Sequence, residues 1–152
     1  VCYNIETTTQ IYSDDVVYNQ DRPIPPEIGN LINLITLRIN NKRLIGPIPP
    51  EIGNLVNLEV LNFYDNEISG NIPVEIGNLV NLTWLSLSDN QLSGEIPPEI
   101  GNLINLVEPG GLDLSINQLS GEIPQEVCQL IESNDLSIST ILYQNSLINT
   151  CD

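Results

Sequence analysis

The sequence predicts an α/β repeat solenoid, in which short parallel strands and short helical turns alternate along a stack of coils. The phrase IPPEIGNL occurs at residues 24–31, 48–55 and 96–103, and as IPVEIGNL at 72–79. Its Ile-Pro pair returns at 123–124, so the spacing is 24, 24, 24 and then 27 residues. One such unit cannot bury its apolar face alone, and stacked neighbours must supply the rest of the core.

Both ends of the chain are expected to be caps of this single domain. Residues 1–23 contain only fragments of the repeat and form a degenerate amino-terminal cap, with residues 9–12 as its candidate edge strand. The repeats occupy residues 24–127, and residues 128–152 form the carboxyl-terminal cap. Terminal units of a solenoid are usually atypical because they must hide the core from water.

Each repeat is predicted to contain one short strand with one buried face. In the unit LSLSDNQLSGEIP, Leu85 and Leu87 alternate with polar residues, which indicates such a strand. An asparagine recurs after the strand and is expected to bond to backbone groups where the chain turns. A glycine follows, where positive φ is expected. The two columns are Asn66, Asn90 and Asn117, and Gly46, Gly70, Gly94 and Gly121.

The recurring phrase itself is predicted to be a helical turn. Pro25 and Pro26 preset φ for a first turn and cannot donate to a strand ladder. Glu27 stands where a carboxylate favours a helix amino end, and the turn is expected to end at Gly29. Glu51, Glu75 and Glu99 repeat the role of Glu27.

Two irregular segments follow the regular repeats. The 27-residue step results from EPGG at residues 108–111, which is either a tolerated loop at the edge leading into the strand or a rim element that contacts a ligand. ILYQNSL at residues 141–147 restores the leucine and asparagine columns at Leu142, Asn145 and Leu147, and therefore predicts a last strand.

The complete unit reads L-x-L-x-x-N-x-L-x-G-x-I-P-x-E-I-G-N-L-x-N-L and covers nearly the whole chain. It resembles the leucine-rich repeat family, specifically the plant-type subclass of 24-residue units with the L-x-G-x-I-P signature. The resemblance implies a right-handed curved solenoid, with a concave parallel sheet and short convex 3₁₀ turns. It also implies that binding occurs on the concave sheet, through the variable positions of L-x-L-x-x-N.

Strand alternation directs those variable side chains outward. The single tryptophan is exposed by this pattern, beside Val60 and near Tyr64, and it suits peptide or carbohydrate contact, although scattered surface aromatics need no functional explanation. The candidate binding residues are Arg38, Asn40, Asn62, Tyr64, Trp84, Ser86, Ser88, Asp113 and Tyr143, with Thr36, Val60, Ser115 and Ile141 beside them.

The cysteine spacing predicts one disulfide. Cys128 replaces the glycine of the turn, and Cys151 follows 23 residues later, almost one period on. Successive coils lie about 5 Å apart, within reach of a disulfide, and such a bond implies an oxidising, extracellular-type setting. Cys2 lies at the opposite end of the stack. It is free, paired with another molecule, or separated from a partner in an upstream segment.

Charge and composition exclude several classes of function. Four basic residues stand against twenty acidic ones, for a net charge of −16, which argues against nucleic acid or an anionic membrane as partner. No run of eighteen apolar residues predicts a membrane span, and the start at Val1 suggests a mature or trimmed product. Without histidine or a catalytic motif we expect no enzyme, cofactor or metal site. The alternative to the absence of a metal site is a calcium ion that bridges Asp65 and Asp89, or the glutamates that repeat the position of Glu27.

Three functions remain. The first is an extracellular or cell-surface module that binds a protein, peptide or glycan on its concave face. The second is a structural or adhesion repeat that self-associates end to end. The third is ice binding, which would need a flat column of identical small polar side chains, whereas Arg38, Asn62, Ser86 and Asp113 form a mixed one.

Asn81-Leu82-Thr83 is a formal N-glycosylation acceptor.

Overall fold

Two parallel sheets run along the stack of coils, one more than the sequence predicts. The computed structural model describes residues 7–12 and 21–151, so Cys2 lies outside the described residues. The first sheet, here called the concave sheet, has the order β1-β3-β5-β7-β9. Its strands are β1 (Gln10–Ile11), β3 (Thr36–Arg38), β5 (Val60–Asn62), β7 (Trp84–Ser86) and β9 (Leu112–Asp113). The candidate edge strand is thus confirmed as β1.

The strands of the second sheet come directly after the asparagine column in the sequence of each coil. It consists of β2 (Arg22–Pro23), β4 (Leu44–Gly46), β6 (Glu67–Gly70), β8 (Gln91–Gly94), β10 (Gln118–Glu122) and β11 (Ser146–Ile148), paired in the order β11-β10-β8-β6-β4-β2. Gly46, Gly70, Gly94 and Gly121 have the predicted positive φ, between 72° and 87°. At most one buried leucine or isoleucine per strand marks this sheet in the sequence, which is too little alternation to predict it.

Short helical turns form the opposite side of each coil, as predicted. Four are 3₁₀ turns, at Pro26–Asn30, Pro50–Asn54, Val74–Asn78 and Pro98–Asn102, and the fifth is a helix, α1 (Gln125–Ser133). Gly29 does not end its turn, which continues to Asn30. Its role is close approach: a Cβ atom on Gly29 would lie 2.5 Å from the carbonyl oxygen of Glu51 in the next coil.

The asparagine column joins neighbouring coils. Asn90 Nδ2 donates to the carbonyl oxygens of Phe63 (3.0 Å) and Leu87 (3.1 Å), and its Oδ1 accepts from the backbone N–H of Ile68 (3.0 Å). Asn66 and Asn117 make equivalent bonds. These side chains are buried beside the continuous leucine and isoleucine core, so the column is structural, as predicted.

The carboxyl-terminal cap contains the predicted Cys128–Cys151 disulfide, with Cα atoms 5.2 Å apart. The equivalent position in earlier coils must be glycine, because the next coil approaches it. If Gly101 carried a Cβ atom, for example, this atom would lie 2.6 Å from the Cβ of Glu126. No such coil follows α1 in the described residues, and a cysteine side chain therefore fits at residue 128.

The last strand predicted within residues 141–147 exists, but it starts later than predicted, and the placement of Ile141 and Tyr143 on it is wrong. Residues Ser139–Leu142 form a helix, α2, with Tyr143 at its end and Ile141 fully buried. Thr140 Oγ1 lies 2.6 Å from both the Leu112 and Ser137 carbonyl oxygens, a local arrangement that competes with strand formation. The last strand, β11, begins at Ser146 and belongs to the second sheet. Asn145 nevertheless continues the asparagine column, because its Oδ1 accepts from the Leu119 N–H.

Besides the glycine column, a second column of backbone positions is left-handed. Asn41, Asp65, Asp89 and Ile116 share this column, with φ between 55° and 57°. Asparagine and aspartate adopt this conformation readily, but a β-branched residue does so at a cost of about 1–2 kcal/mol. The acidic pair Asp65 and Asp89 therefore has a backbone explanation, and Ile116 is the strained member of the column.

We expect Ile116→Asn to stabilise the protein by about 1 kcal/mol, because it removes that strain. Urea denaturation followed by circular dichroism would measure the change. The reverse substitution in the preceding coil, Asp89→Ile, is the matched control and should destabilise the protein by a similar amount. A loss of stability in Ile116→Asn would show that the packing of Ile116 outweighs its backbone strain.

Candidate binding face

The outward side chains of the concave sheet form columns that cross the coils. Pairing between strands aligns Thr36, Val60 and Trp84 in one column, and Arg38, Asn62, Ser86 and Asp113 in the next. A third column, from the residues that follow the strands, contains Asn40, Tyr64, Ser88 and Ser115. These residues are here called the concave face. They are the predicted site residues apart from Tyr143.

Trp84 is the largest side chain on the concave face, and 38% of its surface is exposed. The guanidinium carbon of Arg38 lies 5.7 Å from the centroid of its ring. Arg38 belongs to β3 and Trp84 to β7, so the arginine side chain extends across the intervening strand β5. A cation above an aromatic ring at this distance contributes about 0.5–1 kcal/mol at an exposed site. The contact links the first and last large side chains across three strands of the concave face.

The EPGG insertion borders Trp84. A Cβ atom on Gly110 would lie 3.9 Å from Trp84 Cζ2, so the indole ring packs close to this backbone. The Glu108 carboxylate accepts from the backbone N–H groups of Gly110 (2.6 Å) and Ser137 (2.8 Å). The insertion is thus bonded to Ser137 and lies at the edge of the concave face, a position that fits both the tolerated loop and the rim element.

Two predicted binding residues are not accessible. Ser86 is 5% exposed and Ser88 is 2% exposed, and their hydroxyl groups lie 3.1 Å apart and bond to each other. The alternation correctly placed both on the concave face. Their side chains are short and lie between longer neighbours, so the expectation that they are available to a partner was wrong. Thr36 and Ser115 are buried in the same way.

The polar residues of the middle column are partly engaged within the protein. Asn62 Oδ1 accepts from the backbone N–H of Tyr64 at 2.9 Å. Asp113 Oδ1 accepts from both the N–H (3.1 Å) and the hydroxyl (2.6 Å) of Ser115. The accessible part of the concave face is therefore dominated by Trp84 and Tyr64, with Arg38 between them and the amino-terminal edge.

Sequence reasoning missed Tyr12. This residue is exposed and directly follows Ile11, which pairs with Leu37, so Tyr12 lies beside Arg38 in register. The alternation Gln10, Tyr12 in the candidate edge strand was the available signal. Tyr143 is also exposed, but it lies at the end of α2, beyond β9 of the concave sheet, and its carbonyl oxygen accepts from the Ile116 N–H.

A second surface, here called the lateral face, is formed by residues that come shortly before the concave strand of each coil. Its apolar members are Ile32, Val56, Val80 and Ile104, which recur every 24 residues and are 46–69% exposed. An asparagine follows each of them, and Nδ2 of Asn57, Asn81 and Asn105 donates to the carbonyl oxygens of Ile32, Val56 and Val80 respectively, at 2.8–2.9 Å. The Ile104 carbonyl oxygen accepts instead from Asn134 Nδ2, at the end of α1 (2.8 Å). These side chains carry no charge and are held in a regular array.

Neither metal ligation nor membrane insertion is indicated by the described part of the chain. Residues 7–12 and 21–151 contain no group of three or more histidine, cysteine, aspartate or glutamate residues that could hold a metal ion. In the same ranges, no helix has the length and apolarity needed to cross a membrane.

Comparison with known proteins gives a family and several similar structures. A family model described as leucine rich repeat matches residues 32–92, and a second leucine rich repeat model matches residues 111–130. No curated protein matches the chain. A chain in the crystal structure of PEPR1-AtPEP1 has 36% sequence identity to this chain. The match covers 92% of this chain and 17% of that one, with a TM-score of 0.69.

Two further structures show similar coverage of this chain. The BIR2 ectodomain from Arabidopsis thaliana is 32% identical over 84% of this chain and 64% of its own, with a TM-score of 0.73. A plant ice-binding protein is 34% identical over 91% of this chain and 41% of its own, with a TM-score of 0.74. The chain therefore spans between 17% and 64% of the length of these three relatives.

Proposed function

The chain belongs to the leucine-rich repeat family, and we propose that it is a non-catalytic recognition module that binds an extracellular protein or peptide on its concave face. One similar structure contains PEPR1 together with AtPEP1, and another is named an ectodomain. The Cys128–Cys151 disulfide supports an extracellular setting, since such bonds persist in oxidising compartments.

The observation that carries this proposal is the Arg38–Trp84 pair. Tryptophan, tyrosine and arginine are the residue types in which binding energy is concentrated at protein interfaces. Trp84, Tyr64 and Tyr12 are exposed together on the same sheet, with Arg38 placed among them. Arg22, Lys42 and Arg43, the other basic residues, lie in β2 or immediately before β4, so Arg38 is the one that the concave face presents to a partner.

The size of the face limits the partner. Five strands at the usual spacing measure roughly 20 Å across the coils. Such a surface accommodates a short extended segment or a small domain, and we expect a contact at the low end of interface size, below about 1,200 Å². The size of the face does not distinguish a peptide from a folded protein or a glycan, and the contacts made by Trp84 would do so.

A binding screen against secreted proteins, peptides and glycans would test the proposal. We expect Trp84→Ala and Tyr64→Ala to weaken binding of any hit at least tenfold, because each removes a large exposed contact. Val74→Ala is the control, since Val74 is more exposed than either residue but lies on a 3₁₀ turn. Because Trp84 is the single tryptophan, its fluorescence reports contact directly. Hits that bind both concave variants at full strength would refute the proposal.

Ice binding is a second candidate, and the lateral face is the observation that favours it. The concave columns are mixed and charged, but the lateral face repeats the same asparagine and β-branched residues at the spacing of the coils. One similar structure is a plant ice-binding protein. Uncharged side chains that repeat at a regular spacing are what a crystalline ligand would match.

Thermal hysteresis of protein produced in bacteria, without glycans, would test the second candidate. We expect activity in the unmodified protein and its loss in Val80→Lys, which places a charge in the middle of the lateral face. Trp84→Ala is the control and should retain the activity. Freezing behaviour identical to that of buffer would eliminate ice binding as a function of this chain.

A further inference from the structure

We propose that Asn81 is the attachment site of an N-linked glycan, and that this glycan covers the lateral face. Asn81-Leu82-Thr83 is the single Asn-X-Ser/Thr sequence in the chain. The proposal is independent of what binds the concave face. It requires that Asn81 be accessible, that its bonding in the folded protein tolerate a sugar, and that the neighbouring surface have something for the glycan to cover.

Accessibility is provided by the local structure. Asn81 and Thr83 are both exposed, while Leu82 between them is fully buried and anchors the segment in the core. Thr83 Oγ1 donates to the Glu59 carbonyl oxygen at 3.1 Å, so the hydroxyl that the acceptor sequence requires lies at the surface in a defined position. The segment immediately precedes β7 and belongs to the best-repeated part of the fold.

The hydrogen bonding of Asn81 tolerates the modification. Its Nδ2 donates one bond, to the Val56 carbonyl oxygen at 2.8 Å, and the amide nitrogen carries two hydrogens. The reaction joins Nδ2 to the anomeric carbon of an oligosaccharide. A proton leaves the amide, and a lipid-linked diphosphate leaves the sugar. One N–H remains to bond to Val56, so the contact between the two coils is preserved.

Asn81 is distinguished from its neighbours by sequence and not by structure. Asn57 and Asn105 occupy the same position in adjacent coils and make the same bond, to Ile32 and Val80. Two residues after them stand Glu59 and Val107 in place of threonine. The chain therefore provides its own matched controls for the geometry of the acceptor.

The surface around Asn81 is what a glycan would cover. Val56, Val80 and Ile104 are 48%, 46% and 69% exposed, and they belong to the coil of Asn81 and to the coils on either side. The apolar faces of sugar rings pack against such side chains, while the hydroxyl groups remain in water. The Cys128–Cys151 disulfide adds a second argument, because disulfide formation takes place in the secretory compartment, where N-linked glycans are added in eukaryotic cells.

Secretion of the full chain from a eukaryotic host, followed by intact mass measurement with and without peptide-N-glycosidase, tests the attachment. We expect one glycan on the unmodified protein and on Thr83→Ser, and none on Asn81→Gln or Thr83→Ala. In Glu59→Thr, which creates an acceptor at Asn57, we expect two. If the unmodified protein is secreted with its disulfide intact and carries no glycan, the proposal is wrong.

Fluorescence of an apolar dye tests the covering of the lateral face. Secreted Thr83→Ala, which has no glycan, should bind at least twofold more dye than the glycosylated protein. Adding Val56→Gln and Ile104→Gln, which remove apolar surface without creating a new acceptor sequence, should remove the difference. Equal dye binding by the two forms would mean that the glycan extends into solvent, and would overturn this part of the proposal. A covering glycan would also abolish ice binding by the secreted protein.

Discussion

One asparagine in each coil joins that coil to the one before it, and the rest of the structure depends on this contact. Asn90 satisfies the Ile68 N–H and the Phe63 carbonyl of the preceding coil while it bonds to Leu87 in its own. The bonds lie where the chain leaves the concave sheet and enters the second sheet, a place where backbone groups would otherwise be buried without partners. The two sheets can therefore run side by side through every coil, with the leucine core between them.

The same stacking explains why IPPEIGNL is repeated so faithfully. A Cβ atom on Gly53 or Gly77 would lie within 2.7 Å of the glutamate that follows one coil later, so glycine is required wherever a further coil follows. Residue 128 is the first such position free of that requirement, and there the chain has a cysteine that bonds to Cys151. The repeated phrase serves spacing, whereas the variable residues of the concave face and the single acceptor sequence at Asn81 distinguish one coil from another.

Features that recur in every coil could be predicted from the sequence, and features that depend on a single contact could not. The period, the asparagine column, the positive φ of the glycine column and the disulfide all follow from spacing. Ser86 and Ser88 are buried beside longer neighbours, and Thr140 in the helix Ser139–Leu142 bonds locally to backbone, so neither feature has a periodic signal. Tyr12 follows β1 within the candidate edge strand, but its segment lacks the repeat motif that identified the other concave residues. The nature of the partner lies beyond any of these patterns, because it is determined by exposed side chains that do not repeat.

Hydrogen exchange at the Ile68 and Leu92 amides would test the central role of the asparagine column most directly. Both N–H groups donate to asparagine side chains in the following coil, Ile68 to Asn90 and Leu92 to Asn117. We predict that both amides exchange as slowly as the backbone-bonded amides of the strands. In Asn90→Ala, the Ile68 amide should lose its protection while the Leu92 amide retains it. Rapid exchange of Ile68 in the unmodified protein, or unchanged protection in the variant, would contradict this account.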